Sequence, residues 1–226
     1  MKHPFILLIR KRSVFAIALL YVVVPLTAQT DTITNLPQFL YPNFTKSIVK
    51  LKTGVSLTAV LNYNTVSGKM AFYQNGTLMN LNKPETVDTI FMQNVKFVFN
   101  ENAFYEVLLN APVSLFIQHK SDLTSQGKPA AYGTPSETAG STSISKLYSD
   151  KAYNLKLPEN FKVTPSPVYW ARINNVMQRF TSERQFLKIF PTKEDKIKKF
   201  INKSNINIKK QDDLIKLVTY CNELIR

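Results

Sequence analysis

Apart from His3 near the N-terminus, the chain contains a single histidine, His119, which limits the nucleophilic catalysis open to it. A Ser–His–acid or Cys–His site would have to use this side chain as its base. Ser121 and Ser125 follow closely, but no Gly-x-Ser-x-Gly segment accompanies them. A histidine at a strand end usually makes a structural hydrogen bond, so the sequence assigns no catalytic residue.

Two carboxylates facing each other across a cleft are the second arrangement that could do chemistry, because glycosidases use such a pair. Asp88 and Glu106 lie on neighbouring predicted strands and could converge. Carboxylates on strands more often face solvent or pair with lysine. A hydrolase that acts on an envelope polymer, using His119 or the Asp88/Glu106 pair, is therefore the alternative interpretation.

Metal and cofactor chemistry has little support in the sequence. Cys221 is the only cysteine, which excludes an intrachain disulfide and a cysteine-based zinc cluster. No phosphate-binding loop, dinucleotide fingerprint or calcium loop is present. We therefore expect neither a cofactor nor a metal. Cys221 lies in an apolar helical stripe, which favours a buried thiol over an interchain disulfide.

The first 28 residues are typical of a secretory signal peptide. A basic segment that ends in Arg10–Arg12 is followed by the apolar run Val14–Val24, and small residues precede Gln29. The run is shorter than the roughly 20 residues that span a bilayer. We expect cleavage before Gln29, no integral membrane span afterwards, and a periplasmic, outer-membrane-associated or secreted protein.

The chain is basic, with a net charge of +14. Residues 29–226 retain 25 basic and 15 acidic residues, a net charge of +10. The region from Lys193 to Lys216 is the densest, and polyanion binding is a further alternative. No nucleic-acid-binding motif is present, and export argues against nucleic acid as a partner. An envelope protein or envelope polymer is the more plausible partner.

The pattern after the signal peptide predicts three regions. Residues 29–46, with Pro37 and Pro42, form an extended lead-in. Residues 47–180 alternate apolar and polar positions in short segments, which predicts antiparallel strands with turns at Asn75-Gly76 and Asn174-Asn175. Residues 181–226 have helical spacing. The predicted fold is α+β: a β-rich antiparallel meander, packed as a sandwich or small barrel, with a helical C-terminal region.

A long segment rich in Ser, Thr, Gly and Pro, residues 121–145, interrupts the strand pattern and predicts a flexible loop. Together with His119, Lys128 and Tyr132 of this loop are the candidate recognition residues. The alternative is that the Tyr132 side chain pins the loop to the sheet.

The C-terminal region predicts helices that begin after Thr181 or Ser182, near Thr192, and at Gln211. One face of the last helix is apolar, and its members include Leu214, Leu217, Val218 and Cys221. Such a stripe usually packs on a core. We therefore expect the helices to dock on the sheet with their lysines facing solvent.

Short motifs occur at Leu61–Asn64, Lys83–Ile90, Phe104–Val107, Gln118–Lys120, Gly127–Gly133, Leu157-Pro158 and Phe190-Pro191. In this order, over roughly residues 47–220, they resemble uncharacterised exported proteins of Bacteroidetes-type bacteria. The resemblance implies an envelope location and carries no activity or catalytic residue. The O-glycosylation pattern of those bacteria, Asp-Ser/Thr-apolar, is similar to Asp31-Thr32-Ile33 and Asp88-Thr89-Ile90. Thr32 is the better candidate because Thr89 falls in a predicted strand.

These observations lead to one expectation about function. The protein is expected to be an exported, non-enzymatic binding or structural module of the cell envelope, with the hydrolase and the polyanion-binding protein as alternatives.

Overall fold

The computed structural model describes residues 35–74, 77–125, 157 and 161–225. Short strands dominate this part of the chain, and three helices follow at its C-terminal end. The strands are β1 (Thr45–Leu51), β2 (Ser56–Asn64), β3 (Lys69–Gln74), β4 (Thr77–Asn80), β5 (Val87–Met92), β6 (Val95–Asn100), β7 (Ala103–Leu109), β8 (Ser114–Gln118), β9 (Ser121–Ser125), β10 (Phe161–Pro165), β11 (Val168–Ile173) and β12 (Val176–Phe180), and the helices are α1 (Glu183–Leu187), α2 (Glu194–Lys203) and α3 (Gln211–Ile225).

Ten strands form one antiparallel sheet in the order β12-β11-β8-β7-β6-β5-β1-β2-β3-β4, and β9 pairs with β10 in a small second sheet. Two meanders, β1 to β4 and β5 to β8, meet where β1 pairs with β5. The α+β fold with an antiparallel meander is therefore confirmed. The small barrel is wrong, because the β11–β12 hairpin extends the sheet beside β8 and the described ladder stays open.

Asparagine-containing turns set the register of two hairpins. Asn174 and Asn175, which join β11 to β12, have φ values of 50° and 62°. Gln93 and Asn94 join β5 to β6 with φ values of 48° and 67°. Positive φ at both central positions is the signature of the type I′ turn, whose twist matches that of the strands. The predicted turn at 75–76 lies outside the described residues.

The sheet bends so that distant strands touch. The Phe104 N–H on β7 donates to the Gly68 carbonyl beside β3 (2.9 Å), although four strands separate β3 from β7 in the sheet order. Gly68 has a φ of 72°, and a Cβ there would lie 3.0 Å from the Cβ of Ala103. The contact therefore requires glycine. We call the concave side of this bend the inner face; its buried residues are Val49, Leu61, Tyr63, Met70, Val87, Ile90, Met92, Phe97 and Phe104.

The C-terminal helices cover the β8–β11–β12 end of the sheet. The Ser182 side chain caps α1 by accepting a hydrogen bond from the Gln185 N–H (3.3 Å), as the sequence predicts. Helix α3 buries its apolar stripe against strand and loop residues of the sheet, and the lysines of α2 are exposed. The predicted docking is confirmed, and Cys221 is buried at 1% exposure. Within the described residues, no helix combines the length and apolarity that a membrane crossing needs.

The first five residues of the predicted flexible loop form a strand, and the predicted lead-in contacts the sheet. Residues 121–125 form β9 and pair in register with β10, because the Leu123 side chain finds a buried position and the ladder satisfies the backbone. Residues 35–44 run beside β2: the Leu40 N–H donates to the Tyr63 carbonyl (2.9 Å). The Asn62 side chain binds the backbone of Tyr41 through both its oxygen and its nitrogen. The lead-in is thus anchored to the sheet.

Candidate functional site

His119 pairs with Glu106 on the inner face of the sheet. It follows the last residue of β8, as predicted, and its Nε2–H donates to Glu106 Oε2 at 2.6 Å. Glu106 lies directly opposite Ile117 in the β7–β8 ladder, and His119 is two residues further along. This diagonal relation brings long side chains within reach. Both side chains are largely shielded, at 19% and 13% exposure.

Aromatic rings surround the His119–Glu106 pair. The centroid of the His119 ring lies 6.0 Å from that of Tyr63, edge to face, and 6.4 Å from that of Phe97. The Tyr63 hydroxyl donates to the Phe104 carbonyl (3.1 Å), and burial, with a smaller effect from Tyr105, raises its pKa well above the usual range. Burial first, and then the Glu106 carboxylate, raises the pKa of Tyr41. These phenols therefore remain neutral hydrogen-bonding groups near a carboxylate.

The pair has the geometry of an oriented histidine. In a neutral imidazole that donates from Nε2, the second nitrogen, Nδ1, is the acceptor. A carboxylate bound to the donating nitrogen orients the ring so that the accepting nitrogen can act as a base. A nucleophile is not brought to it: no hydrogen bond joins Ser121 to His119 among the described residues, and the Ser121 N–H binds the Thr65 carbonyl. The Ser125 side chain lies outside the described residues.

Asp88 does not join this site. It stands at the irregularity in the β1–β5 pairing, is exposed, and accepts a hydrogen bond from the Thr89 hydroxyl (2.9 Å). Glu106 pairs with Phe97, which pairs with Ile90, so strand β6 lies between the two strands that carry these carboxylates. The structure therefore joins Glu106 to His119 and leaves Asp88 in solvent.

The other candidate residues stand as follows. Lys128 and Tyr132 of the recognition loop, the signal peptide and Thr32 lie outside the described residues. Thr89 is 4% exposed on β5, which agrees with its assignment to a strand. Within the described part of the chain, no group of three or more His, Cys, Asp or Glu side chains comes together as a metal site would require.

The pairing of Glu106 with His119 left a signal in the sequence. Alternation along β7 places Glu106 on the same face as Phe104, and alternation along β8 places His119 on the face of Leu115 and Ile117. Two polar residues at inward positions of adjacent strands indicate a buried pair. The contributions of Tyr41 and Tyr63 left no such signal, because they depend on the bend of the sheet.

A second feature lies on the β1–β2 hairpin. Seven large apolar side chains are exposed among the described residues, and five of them lie on this hairpin and the adjacent β5. The hairpin region also carries three exposed lysines and, between Thr45 and Asn64, no Asp or Glu. The Lys50 ammonium lies 5.1 Å from the centre of the Phe91 ring. We call this the hairpin surface; it comprises Ile48, Val60 and Phe91, which share one face, with Leu57 on the opposite face and Val55 at the turn, flanked by Lys46, Lys50 and Lys52.

Comparison with known proteins adds no identity to these features. The chain matches no protein-family model, no curated protein and no solved structure. The fold and the side chains of the described residues define its class: an α+β protein with an open antiparallel sheet, a shielded His–Glu pair and a hairpin that exposes apolar and basic side chains.

Proposed function

We propose that the chain is an exported, non-enzymatic protein that binds another component of the cell envelope through the hairpin surface. The single observation that carries this proposal is the clustering of exposed apolar side chains. Ile48 is 49% exposed and Val60 is 54% exposed, and they share one face of the sheet with Phe91, which lies opposite Ile48. Apolar side chains scattered singly over a surface need no explanation, whereas a contiguous group typically serves an interface.

The composition of the hairpin surface supports binding over catalysis. Its apolar side chains supply the area that association buries, and the flanking lysines supply electrostatic selection of the partner. Among the described residues, no ion pair joins Lys46, Lys50 or Lys52 to a carboxylate. Within this part of the chain, no carboxylate offsets the charges that they would present to a partner.

The test replaces apolar side chains of the hairpin surface by serine and measures co-sedimentation with envelope membranes and polymers from the native bacterium. The double variant Ile48→Ser/Val60→Ser should bind about tenfold or more weakly, because each side chain loses ~1 kcal/mol or more of apolar burial. The matched control is Val176→Ser on β12, since Val176 is equally exposed, at 56%. Equal binding by both variants would contradict the proposal.

Export is tested separately. The basic and apolar segments of residues 1–28 support it, and the protein recovered from the periplasm or the medium should begin at Gln29 when its N-terminus is sequenced. Recovery from the cytoplasm with the first 28 residues intact would contradict export.

A second candidate function, hydrolysis of an envelope polymer, is favoured by the 2.6 Å contact between His119 and Glu106. An oriented imidazole can act as a general base towards water or a hydroxyl. The test is release of soluble fragments from purified peptidoglycan and from envelope polysaccharide. If the parent protein releases fragments and both His119→Gln and Glu106→Gln stop the release, this function replaces the first proposal; no release by the parent protein removes it.

A further inference from the structure

The hairpin surface includes a strand edge that nothing in the described chain pairs. The whole of β2 up to Leu61 pairs with β1, from Ser56 opposite Lys50 to Leu61 opposite Thr45. Strand β3 pairs with β2 only from Leu61 onwards. Residues 56–60 therefore have a neighbour on one side only, within the described residues, and they are mostly exposed.

The alternation of an antiparallel ladder shows which backbone groups are open. The Val55 carbonyl accepts from the Leu51 N–H (2.8 Å), and the Tyr63 carbonyl accepts from the Leu40 N–H (2.9 Å). Odd-numbered residues of β2 thus turn their backbone groups towards the β1 side, and even-numbered residues turn theirs away. The N–H and C=O groups of Ser56 and Thr58 therefore point to the open side.

The side chains beside this edge differ between the two faces. Residues paired across β1 and β2 share a face, so the outer face carries Lys46 and Lys50 next to Val60 and Ser56. The inner face carries Leu57, opposite Val49, and Ala59, opposite Ser47. On the outer face, a strand added to the edge would lie beside Ser56, Thr58 and Val60, with the long Lys46 and Lys50 side chains reaching towards it from β1, about two strand spacings away. On the inner face it would lie beside Leu57 and Ala59.

Resting on the binding function proposed above, we propose that the open edge of β2 captures an extended segment of a partner protein in which apolar and acidic residues alternate. The backbone of the segment pairs with Ser56 and Thr58. Its apolar side chains pack on Leu57 and Ala59, and its carboxylates face Lys46 and Lys50. Strand addition of this kind takes affinity from backbone hydrogen bonds and specificity from alternate side chains.

A second copy of the chain is a poorer occupant of the edge. Each copy brings three lysines and no carboxylate between Thr45 and Asn64, so two hairpins side by side repel each other. A strand of five residues, about 17 Å long, also offers far less contact than a stable dimer needs. An extended acidic segment is attracted by these lysines, and a short segment captured at the edge does not need the area of a stable dimer.

The probe is a short synthetic peptide in which Val alternates with Glu, and the control peptide alternates Val with Lys. Hydrogen exchange of the parent protein should show the Ser56 and Thr58 amides becoming protected by the Val/Glu peptide. Thr58→Pro removes an amide that β1 does not use, and proline is tolerated at such edge positions. Its matched control, Thr58→Val, keeps the amide. We expect Thr58→Pro to weaken binding about tenfold or more relative to Thr58→Val, measured by calorimetry.

The outcomes separate this inference from the proposed function. Protection of both amides together with loss of binding in Thr58→Pro supports strand addition. Peptide binding without protection, or equal binding by the two Thr58 variants, overturns it and leaves a docking surface that works through side chains. The proposed occupant is overturned if the Val/Glu peptide does not bind at about 1 mM. It is also overturned if light scattering shows a dimer of the parent protein that Thr58→Pro dissociates.

Discussion

The amide of Asn222 holds helix α3 to the sheet, and its removal has a cost that the contacts allow to be worked out. The Val113 N–H donates to Asn222 Oδ1 (2.8 Å), and Asn222 Nδ2 donates to the Val113 carbonyl (2.9 Å). Val113 is fully buried, and Asn222 is 6% exposed. The side chain therefore completes the hydrogen bonding of a backbone segment that water does not reach.

Replacing Asn222 by leucine keeps a similar volume and leaves the N–H and C=O of Val113 unpaired. Each unsatisfied buried group costs ~1–3 kcal/mol, and the added apolar burial returns ~1–2 kcal/mol. The third contact, from Nδ2 to the Val218 carbonyl (2.9 Å), lies within α3, where that carbonyl also accepts the backbone bond of the helix. We expect the free energy of unfolding to fall by ~1–4 kcal/mol.

Equilibrium unfolding in urea measures this loss. The control is Asn202→Leu on the exposed side of α2, where a change within ~0.5 kcal/mol is expected. A midpoint for Asn222→Leu equal to or above that of the parent protein would refute the reasoning, since it would mean that Val113 does not depend on the amide.

Three further predictions concern the paired site, a turn and the thiol. A double-mutant cycle of Glu106→Gln and His119→Gln should give a coupling free energy of ~1–3 kcal/mol by urea unfolding; a value near zero would mean that the contact does not stabilise the fold. The double variant Gln93→Asn/Asn94→Gly should raise the free energy of unfolding by about 0.5–1 kcal/mol, and with it the midpoint temperature, because both positions have positive φ. A lower midpoint temperature would contradict the turn assignment. Burial raises the pKa of the Cys221 thiol to about 12. The free energy of unfolding should therefore fall as pH rises from about 9, where the thiol of the unfolded chain ionises, to about 12. Cys221→Ala should weaken this dependence on pH, and an unchanged dependence would contradict the prediction.

The local signals of the chain predicted most of its elements. Alternation gave the strands around Leu61, Phe104 and Leu115, and the asparagine pair at 174–175 gave a hairpin whose φ values agree. The apolar spacing after Gln211 predicted α3, which begins at that residue. Strands β9 and β10 were not predicted, because their pairing partners lie far apart in sequence and their composition resembles that of a loop.

The candidate site was predicted only in part. His119 was correctly placed at a strand end, and Glu106 was recognised as a strand carboxylate, yet they were assigned to different partners. Which carboxylate meets the histidine depends on the β7–β8 register. Register in turn depends on the hydrophobic pattern of both strands and on the turn between them.

The sequence by itself determined the secondary structure, the docking of amphipathic helices and the basic character of the chain, because propensity, periodicity and charge are local properties. It also indicated that His119 would dominate any chemistry. Only the tertiary structure decided that Glu106 is its partner and that the edge of β2 at Ser56 and Thr58 is open. The first depends on the register between β7 and β8, and the second depends on where β3 begins to pair with β2. Both are decided when distant parts of the chain assemble into one sheet, so neither can be read from local sequence.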